Sequence, residues 1–291
     1  MRVPTLNASI TSQMQRLFMV ARSTASLDDC GTVRAPYCVD ELVAEPVAIL
    51  TGVHKSYVMD DVVVPVLKGI DVLIRPGLFT VFLGASGSGK TTLLNLVGGI
   101  DRPTKGDVIV GGMNIGALSD DELSDFRSMN IGFIFQTFNL IPVLTAYENI
   151  EYPLILAGVD PAERHRRTCR LLDAVGLADR ARNRPGQLSG GQRQRVAIAR
   201  ALARKPKLII ADEPTANLDS QTGAVILALM RRMQIRYHIS FLFSSHDRGL
   251  INLADDLIIL RDGAIQSIRR KLSIGSGNLP DSAFSNAVVK S

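Results

Sequence analysis

Short apolar runs alternate with amphipathic stretches along most of this chain. Val62-Val63-Val64-Pro65-Val66-Leu67 and Ile70-Asp71-Val72-Leu73-Ile74 are rich in β-branched residues and read as two strands, followed by a turn at Arg75-Pro76-Gly77. Thr80-Val81-Phe82-Leu83 is a buried strand entering a glycine loop, and Thr91 to Val97 has the apolar spacing of a helix leaving it. Asp107 to Val110 adds a strand closed by Gly111-Gly112; a short acidic helix at Asp120 to Arg127 and a strand at Ile131 to Phe135 follow. Asp160 is an N-cap, with Pro161 at the first helical position and Glu163 three residues on, for a helix running through Leu171-Leu172 to Gly176. Another helix runs from Gln192 towards Ala203. Strands at Leu208 to Ala211, Ser240 to Ser244 and Leu257 to Leu260 then alternate with a helix from about Thr222 to Ile235. Such alternation predicts an α/β fold with a parallel sheet covered by helices on both faces.

The 291 residues suffice for one large α/β domain or two small ones, and 46% hydrophobic with 21% charged residues argues against wholesale disorder. Order is expected from near Val47. Residues 1–45 are Ser/Thr-rich, carry Arg2, Arg16 and Arg22, and have no acidic residue before Asp28. They are expected to form a disordered extension or to reflect an early start codon, with Met14 and Met19 as later candidates; the composition also overlaps that of organellar transit peptides. The tail from Leu272, residues 272–291, is small and polar and is expected to be loose. No internal repeat is visible.

No run approaches the roughly 18 to 20 apolar residues of a membrane span. The net charge of +5 suits an anionic ligand, a membrane surface or nucleic acid, but part of it lies in Arg164, Arg166, Arg167 and Arg170, which read as a solvated helix face. Cys30, Cys38 and Cys169 are odd in number and lack metal-ligand spacing, which disfavours a disulfide framework.

The chemistry begins at Gly84-Ala85-Ser86-Gly87-Ser88-Gly89-Lys90-Thr91. Glycines there let the main chain approach a polyphosphate, and successive amides with the helix N-terminus attract the anion. Lys90 reaches the β- and γ-phosphates, and the Thr91 hydroxyl can ligate Mg²⁺. Asp212 closes an apolar strand, where α/β proteins bind ligands, and is expected to hold Mg²⁺ directly or through water. Glu213 is suited to polarise the attacking water. His246 follows another strand end and is placed for a γ-phosphate or water contact, though a lone histidine is more often structural. Gln136, after Ile131 to Phe135, is placed to reach Mg²⁺ and the water through its amide oxygen.

Leu188-Ser189-Gly190-Gly191-Gln192, between the loop and Asp212, is the mark of the ABC ATPases, which this chain resembles from about Val47 to Arg269. The resemblance implies a P-loop NTPase core with a mainly parallel sheet, a small antiparallel β-subdomain and an inserted helical subdomain at about 137–195, within an ATPase domain at 46–271. It implies that Tyr57 stacks on adenine, that Gly84 to Thr92 is the Walker A segment including Thr92, and that Gln136 is the Q-loop. It makes Asp212 the Walker B carboxylate, Glu213 the catalytic base, Asp219 the D-loop aspartate and His246 the switch histidine. Ser189, Gly190, Gly191 and Gln192 would face the γ-phosphate bound by a second copy. ATP and Mg²⁺ are then the implied ligands, and integral membrane permease subunits the other partners, at the cytoplasmic face of the membrane, with no nucleic acid. Gly132 to Pro142 and Gly99 to Gly106 are similar to the branch holding lipoprotein-releasing, macrolide-exporter and division-associated ATPases. Leu78 departs from the family's usual polar residue. An importer subunit remains the alternative. A chromosome-maintenance ATPase would need a long coiled coil between loop and signature, and no sustained heptads lie there.

Overall fold

The computed structural model describes residues 45–245, 247–271 and the backbone of 284–288. Its strands are β1 (Ala48–Met59), β2 (Val62–Ile74), β3 (Phe79–Leu83), β4 (Lys105–Val110), β5 (Met113–Asn114), β6 (Ile131–Ile134), β7 (Leu208–Asp212), β8 (Ser240–Ser244), β9 (Asp256–Arg261), β10 (Ala264–Lys271) and β11 (Phe284–Val288). Its α-helices are α1 (Lys90–Val97), α2 (Asp120–Asn130), α3 (Ala146–Leu156), α4 (Pro161–Ala174), α5 (Gly190–Leu202), α6 (Ser220–Tyr237) and α7 (Arg248–Leu253).

A four-stranded antiparallel sheet runs β2-β1-β4-β5, and a seven-stranded sheet runs β11-β10-β9-β3-β8-β7-β6. In the larger sheet β9, β3, β8, β7 and β6 are parallel, while β10 and β11 add antiparallel pairs at one edge. The parallel strands are buried on both faces, which explains their nearly continuous apolar sequences. Alternate residues serve different cores. Phe79, Val81, Ile209, Phe241 and Phe243 pack with Ile198, Leu227 and Met230 of α5 and α6. Phe82, Ile210 and Leu242 pack on the opposite face with Leu93, Leu96 and Val97 of α1 and with the small sheet.

The two strands expected at 62–67 and 70–74 are one strand. Pairing with β1 holds the chain extended throughout, and the register shift between the Val53–Ile70 and His54–Lys68 pairs is absorbed at Gly69, whose φ is 76°. Within the segment expected to be loose, residues 284–288 form β11, which pairs with β10 from Ser267 to Lys271. Helix α3 lacks a sequence prediction because Pro153 interrupts it. Its start is nevertheless marked by a capping box between Thr145 and Glu148. Fully buried Asn149 fixes the preceding loop by donating to the carbonyls of Ile141, Leu144 and Thr145.

Candidate active site

Strand β3 lies between β9 and β8, and its chain leaves the carboxyl edge through Gly84 to Gly89 into α1. Gly84 has no room for a side chain, because a Cβ would lie 2.4 Å from the Leu260 carbonyl oxygen and 2.5 Å from Ser88 Oγ. Gly89 starts α1 in the left-handed region at φ 98° and supplies no side-chain cap. The first-turn amides and the helix dipole therefore favour an anion. Lys90 Nζ donates to the carbonyls of Gly84 at 2.8 Å and Ala85 at 2.9 Å, which folds its ammonium back over the loop. Ala85, Ser86 and Gly87 are exposed on the rim. Ser88 is buried, and among the described residues its hydroxyl has no hydrogen-bond partner. A main-chain cradle, a cation and an orphaned hydroxyl together fit a polyphosphate.

Thr91 and Asp212 come together beside that cradle: Thr91 Oγ1 lies 3.5 Å from Asp212 Oδ2. The Ser244 hydroxyl, at the end of β8, donates to the other carboxylate oxygen. A hydroxyl and one carboxylate at the edge of an anion site form the oxygen donor set that suits Mg²⁺ shared with substrate phosphates. Glu213 follows with φ at 46°, while its amide donates to the Ser244 carbonyl at 3.0 Å. This left-handed backbone ends the extended run of β7 at Glu213, a strained conformation of the kind found at functional positions.

The turn after Glu213 is tied to two neighbouring loops. Asn217 Nδ2 donates to the Gln136 carbonyl at 2.9 Å, leaving the exposed Gln136 side chain on the same rim. Thr215 Oγ1 donates to Asp247 Oδ2 at 2.9 Å. Asp247 thus braces the turn, a duty that its sequence neighbourhood does not signal. His246 lies outside the described residues. Buried Gln194 of α5 donates to the Pro214 carbonyl at 2.7 Å, joining the signature helix to the same turn.

Ser189 and Gln192 form a reciprocal capping box at the start of α5: Gln192 N donates to Ser189 Oγ at 3.3 Å, and Ser189 N to Gln192 Oε1 at 2.9 Å. A Cβ on Gly190 would lie 3.3 Å from Leu218 Cδ2, and one on Gly191 only 2.5 Å from Thr222 Cγ2. Asp219 caps α6, accepting from Thr222 N at 2.9 Å. Bonds from Thr222 hold its carboxyl below the ordinary 3.8. Helix α5 packs against β6, α3, α4 and α6, whereas α1 packs against β2, β4, β7 and β8. The phosphate cradle and the Ser189 turn of one chain therefore have different surroundings.

Tyr57 stands near the end of β1, with its hydroxyl donating to Asp101 Oδ2 at 2.8 Å. Burial, then this bond to Asp101, raises the phenol above its ordinary 10.0, against a lowering contact from Thr92. Asp101 and Lys55, which completes the cluster, were not singled out from sequence as site residues.

The ABC transporter family matches residues 67–216, and an ABC transporter ATP-binding protein of Thermotoga maritima is 46% identical over 222 residues, covering 76% of this chain and 94% of that one. The chain belongs to the ABC transporter ATP-binding proteins. As a member of this family it binds and hydrolyses ATP. The macrolide export ATP-binding/permease protein MacB of Rhodopirellula baltica is 45% identical over 230 residues, covering 77% of this chain; the chain spans 33% of that longer protein. The ATP-binding cassette MJ0796, solved as a dimer bound to ADP and phosphate, shares 40% identity at a TM-score of 0.71, covering 77% of this chain and 98% of that one. Among the described residues of this ABC ATPase, no helix is long and apolar enough to cross a membrane.

Proposed function

We propose that this chain is the ATPase subunit of an efflux- or release-type transporter, working as an ATP-dependent homodimer on membrane permease subunits. The observation that carries the reading is the division of the nucleotide machinery within one chain. Lys90, Thr91, Asp212 and Glu213 gather at the sheet edge, while Ser189 opens a helix packed on other elements. Each pocket then consists of the 84–92 loop of one copy and Ser189 to Gln192, with Asp219, of its partner. Ser189 already uses its oxygen as an acceptor in the capping box, so its O–H remains to donate to a γ-phosphate.

Glu213 takes the role of base toward the attacking water, and Gln136 and His246 orient that water and the γ-phosphate. Thr91, Asp212 and the Gln136 amide would hold Mg²⁺, directly or through water, and the ion would offset charge on the phosphate oxygens. Closure of two copies on ATP moves the helical lobe at about 137–195, within an ATPase unit at 46–271, and that lobe passes the motion to the permease. The efflux or release direction draws on the likeness to the macrolide export ATP-binding/permease protein, which joins a permease to its ATP-binding part. In this reading the chain sits peripherally on the cytoplasmic face of the membrane, against its permease.

Glu213→Gln tests the core of this reading. The variant is expected to retain ATP and run as a dimer on gel filtration with ATP, with turnover lowered by roughly 100-fold or more. A strictly monomeric Glu213→Gln variant under saturating ATP, or a Ser189→Arg variant with the turnover of wild type, overturns it.

A further inference from the structure

We infer that Asp101, together with Lys55, is a positioning residue that fixes the Tyr57 ring as the platform for a purine base and so sets base affinity. This deepens the proposed function and rests on its premise that Tyr57 carries the base.

The two carboxylate oxygens of Asp101 have separate duties. One accepts the Tyr57 hydroxyl at 2.8 Å. The other accepts Lys55 Nζ at 2.6 Å and the Arg102 amide at 2.7 Å. Lys55 Nζ also donates to the Arg102 carbonyl at 2.8 Å and stands 4.8 Å from the centroid of the Tyr57 ring. A cation on one ring face leaves the opposite face for a stacking partner, and the anchored phenol oxygen stops the ring from swinging about χ1 and χ2. Tyr57 remains 37% exposed, as a stacking platform must be, while the Lys55 side chain is only 12% exposed, so this pair is less screened than an ordinary surface pair.

The anchor is also tied to the phosphate end of the site. Asp101 follows α1 closely, and the amides of Ile100 and Asp101 return to the Asn95 carbonyl of that helix at 2.9 and 3.2 Å. Thr104 N donates to the His54 carbonyl at 2.8 Å, and Ser56 N donates to Thr104 Oγ1 at 3.0 Å. The helix that begins at the phosphate loop therefore ends in the turn that orients the base platform. Without the anchor, Tyr57 sits on an exposed hairpin end and must be ordered by the nucleotide itself, which weakens binding. Burial works against the Asp101 charge, yet the bonds from Lys55, Tyr57 and Arg102 keep its carboxyl below the ordinary 3.8.

The test compares ATP with tripolyphosphate, which lacks the base, on the full chain carrying Tyr57→Phe, Asp101→Ala, both together, or Tyr57→Ala. Tyr57→Phe and Asp101→Ala are each expected to raise the KM for ATP roughly 3- to 10-fold, with a smaller effect on kcat. The double variant should be no weaker than Asp101→Ala alone, because both changes break one bond. Inhibition by tripolyphosphate should stay constant. Asp101→Asn, which keeps an acceptor oxygen for the phenol, should recover part of the loss. Multiplicative losses in the double variant, or tripolyphosphate binding that falls in step with ATP, overturn the inference. So does a Tyr57→Ala variant that loses ATP affinity while Asp101→Ala does not. If Tyr57→Ala leaves ATP affinity intact, the base-platform premise fails, and the inference with it.

Discussion

The Arg200 guanidinium donates to the main-chain carbonyl of Asn139 at 2.6 Å. Its second terminal nitrogen donates to the Phe138 carbonyl at 3.0 Å, and the Arg193 guanidinium lies 5.1 Å from the centre of the Phe138 ring. Phe138 and Asn139 both have left-handed backbone, with φ of 63° and 49°. For residues with a Cβ this conformation costs roughly 1–2 kcal/mol each, less for asparagine. Helix α5 thus holds a strained turn two residues after Gln136. Burial, which disfavours the charged form, lowers the pKa of Arg200 from its ordinary value. Arg200→Met is expected to destabilise the fold by about 2 kcal/mol, since two carbonyls lose a charged donor. Arg200→Lys should recover only part, because an ammonium lacks the planar fork. Urea unfolding midpoints decide it; three indistinguishable curves would show that the contact does not hold the turn.

Glu213 presents a sign reversal. At most positions alanine is more stable than glycine by roughly 0.5–1 kcal/mol, because glycine loses more chain entropy on folding. At φ 46° the Cβ of Glu213 is unfavourable, so the order should invert, with Glu213→Gly more stable than Glu213→Ala by about 1 kcal/mol. Both variants should lose ATP turnover. Differential scanning calorimetry of the pair measures the order. Alanine the more stable of the two would mean that the backbone here relaxes once the carboxylate is gone.

The features legible in the sequence are those fixed by local chemistry or by burial on two faces. Strands such as Leu208–Asp212 announce themselves because both faces are covered and every residue but the last is buried. The glycines of the 84–89 loop are legible because their spacing serves main-chain geometry. What escaped depends on contacts distant in sequence. Tyr57 and Asp101 are 44 positions apart, and Thr215 and Asp247 are 32 apart, so neither pair leaves a local pattern. The continuity of β2 through Gly69 is set by its partner strand, whose register shift calls for the bulge. Helix α3 did leave a local mark, the Thr145–Glu148 box, but Pro153 and a broken apolar period mask it.

Gly191 separates packing from ligand approach. An alanine Cβ there would lie 2.5 Å from Thr222 Cγ2, a β-branched methyl in the first turn of α6 with little freedom to move. Gly191→Ala should therefore destabilise by about 1–3 kcal/mol despite the better helix propensity of alanine. Thr222→Ser removes only that methyl, and the Gly191→Ala, Thr222→Ser double variant should regain most of the stability. If ATPase activity returns with stability, the glycine serves the fit of α5 on α6. Stability regained with activity still absent would place the glycine's role at the nucleotide, where a partner's phosphate needs the space.

Acid sensitivity should appear at Glu163 on the arginine-rich face of α4. Hydrogen bonds from Arg167, then Arg166, hold its carboxyl at about 2, below the ordinary 4.5. Because the folded value is the depressed one, the contribution is present in full above the unfolded value and fades as the pH falls from 4.5 towards about 2. Wild type should exceed Glu163→Gln in urea midpoint near pH 6, and the gap should narrow below pH 4.5 and close only as the pH approaches about 2. Arg166 is exposed and Glu163 and Arg167 are only half-buried, so salt near 1 M should narrow the gap wherever it is present. A difference that persists unchanged from pH 6 to pH 3 would assign Glu163 a role in packing or helix initiation instead of charge pairing.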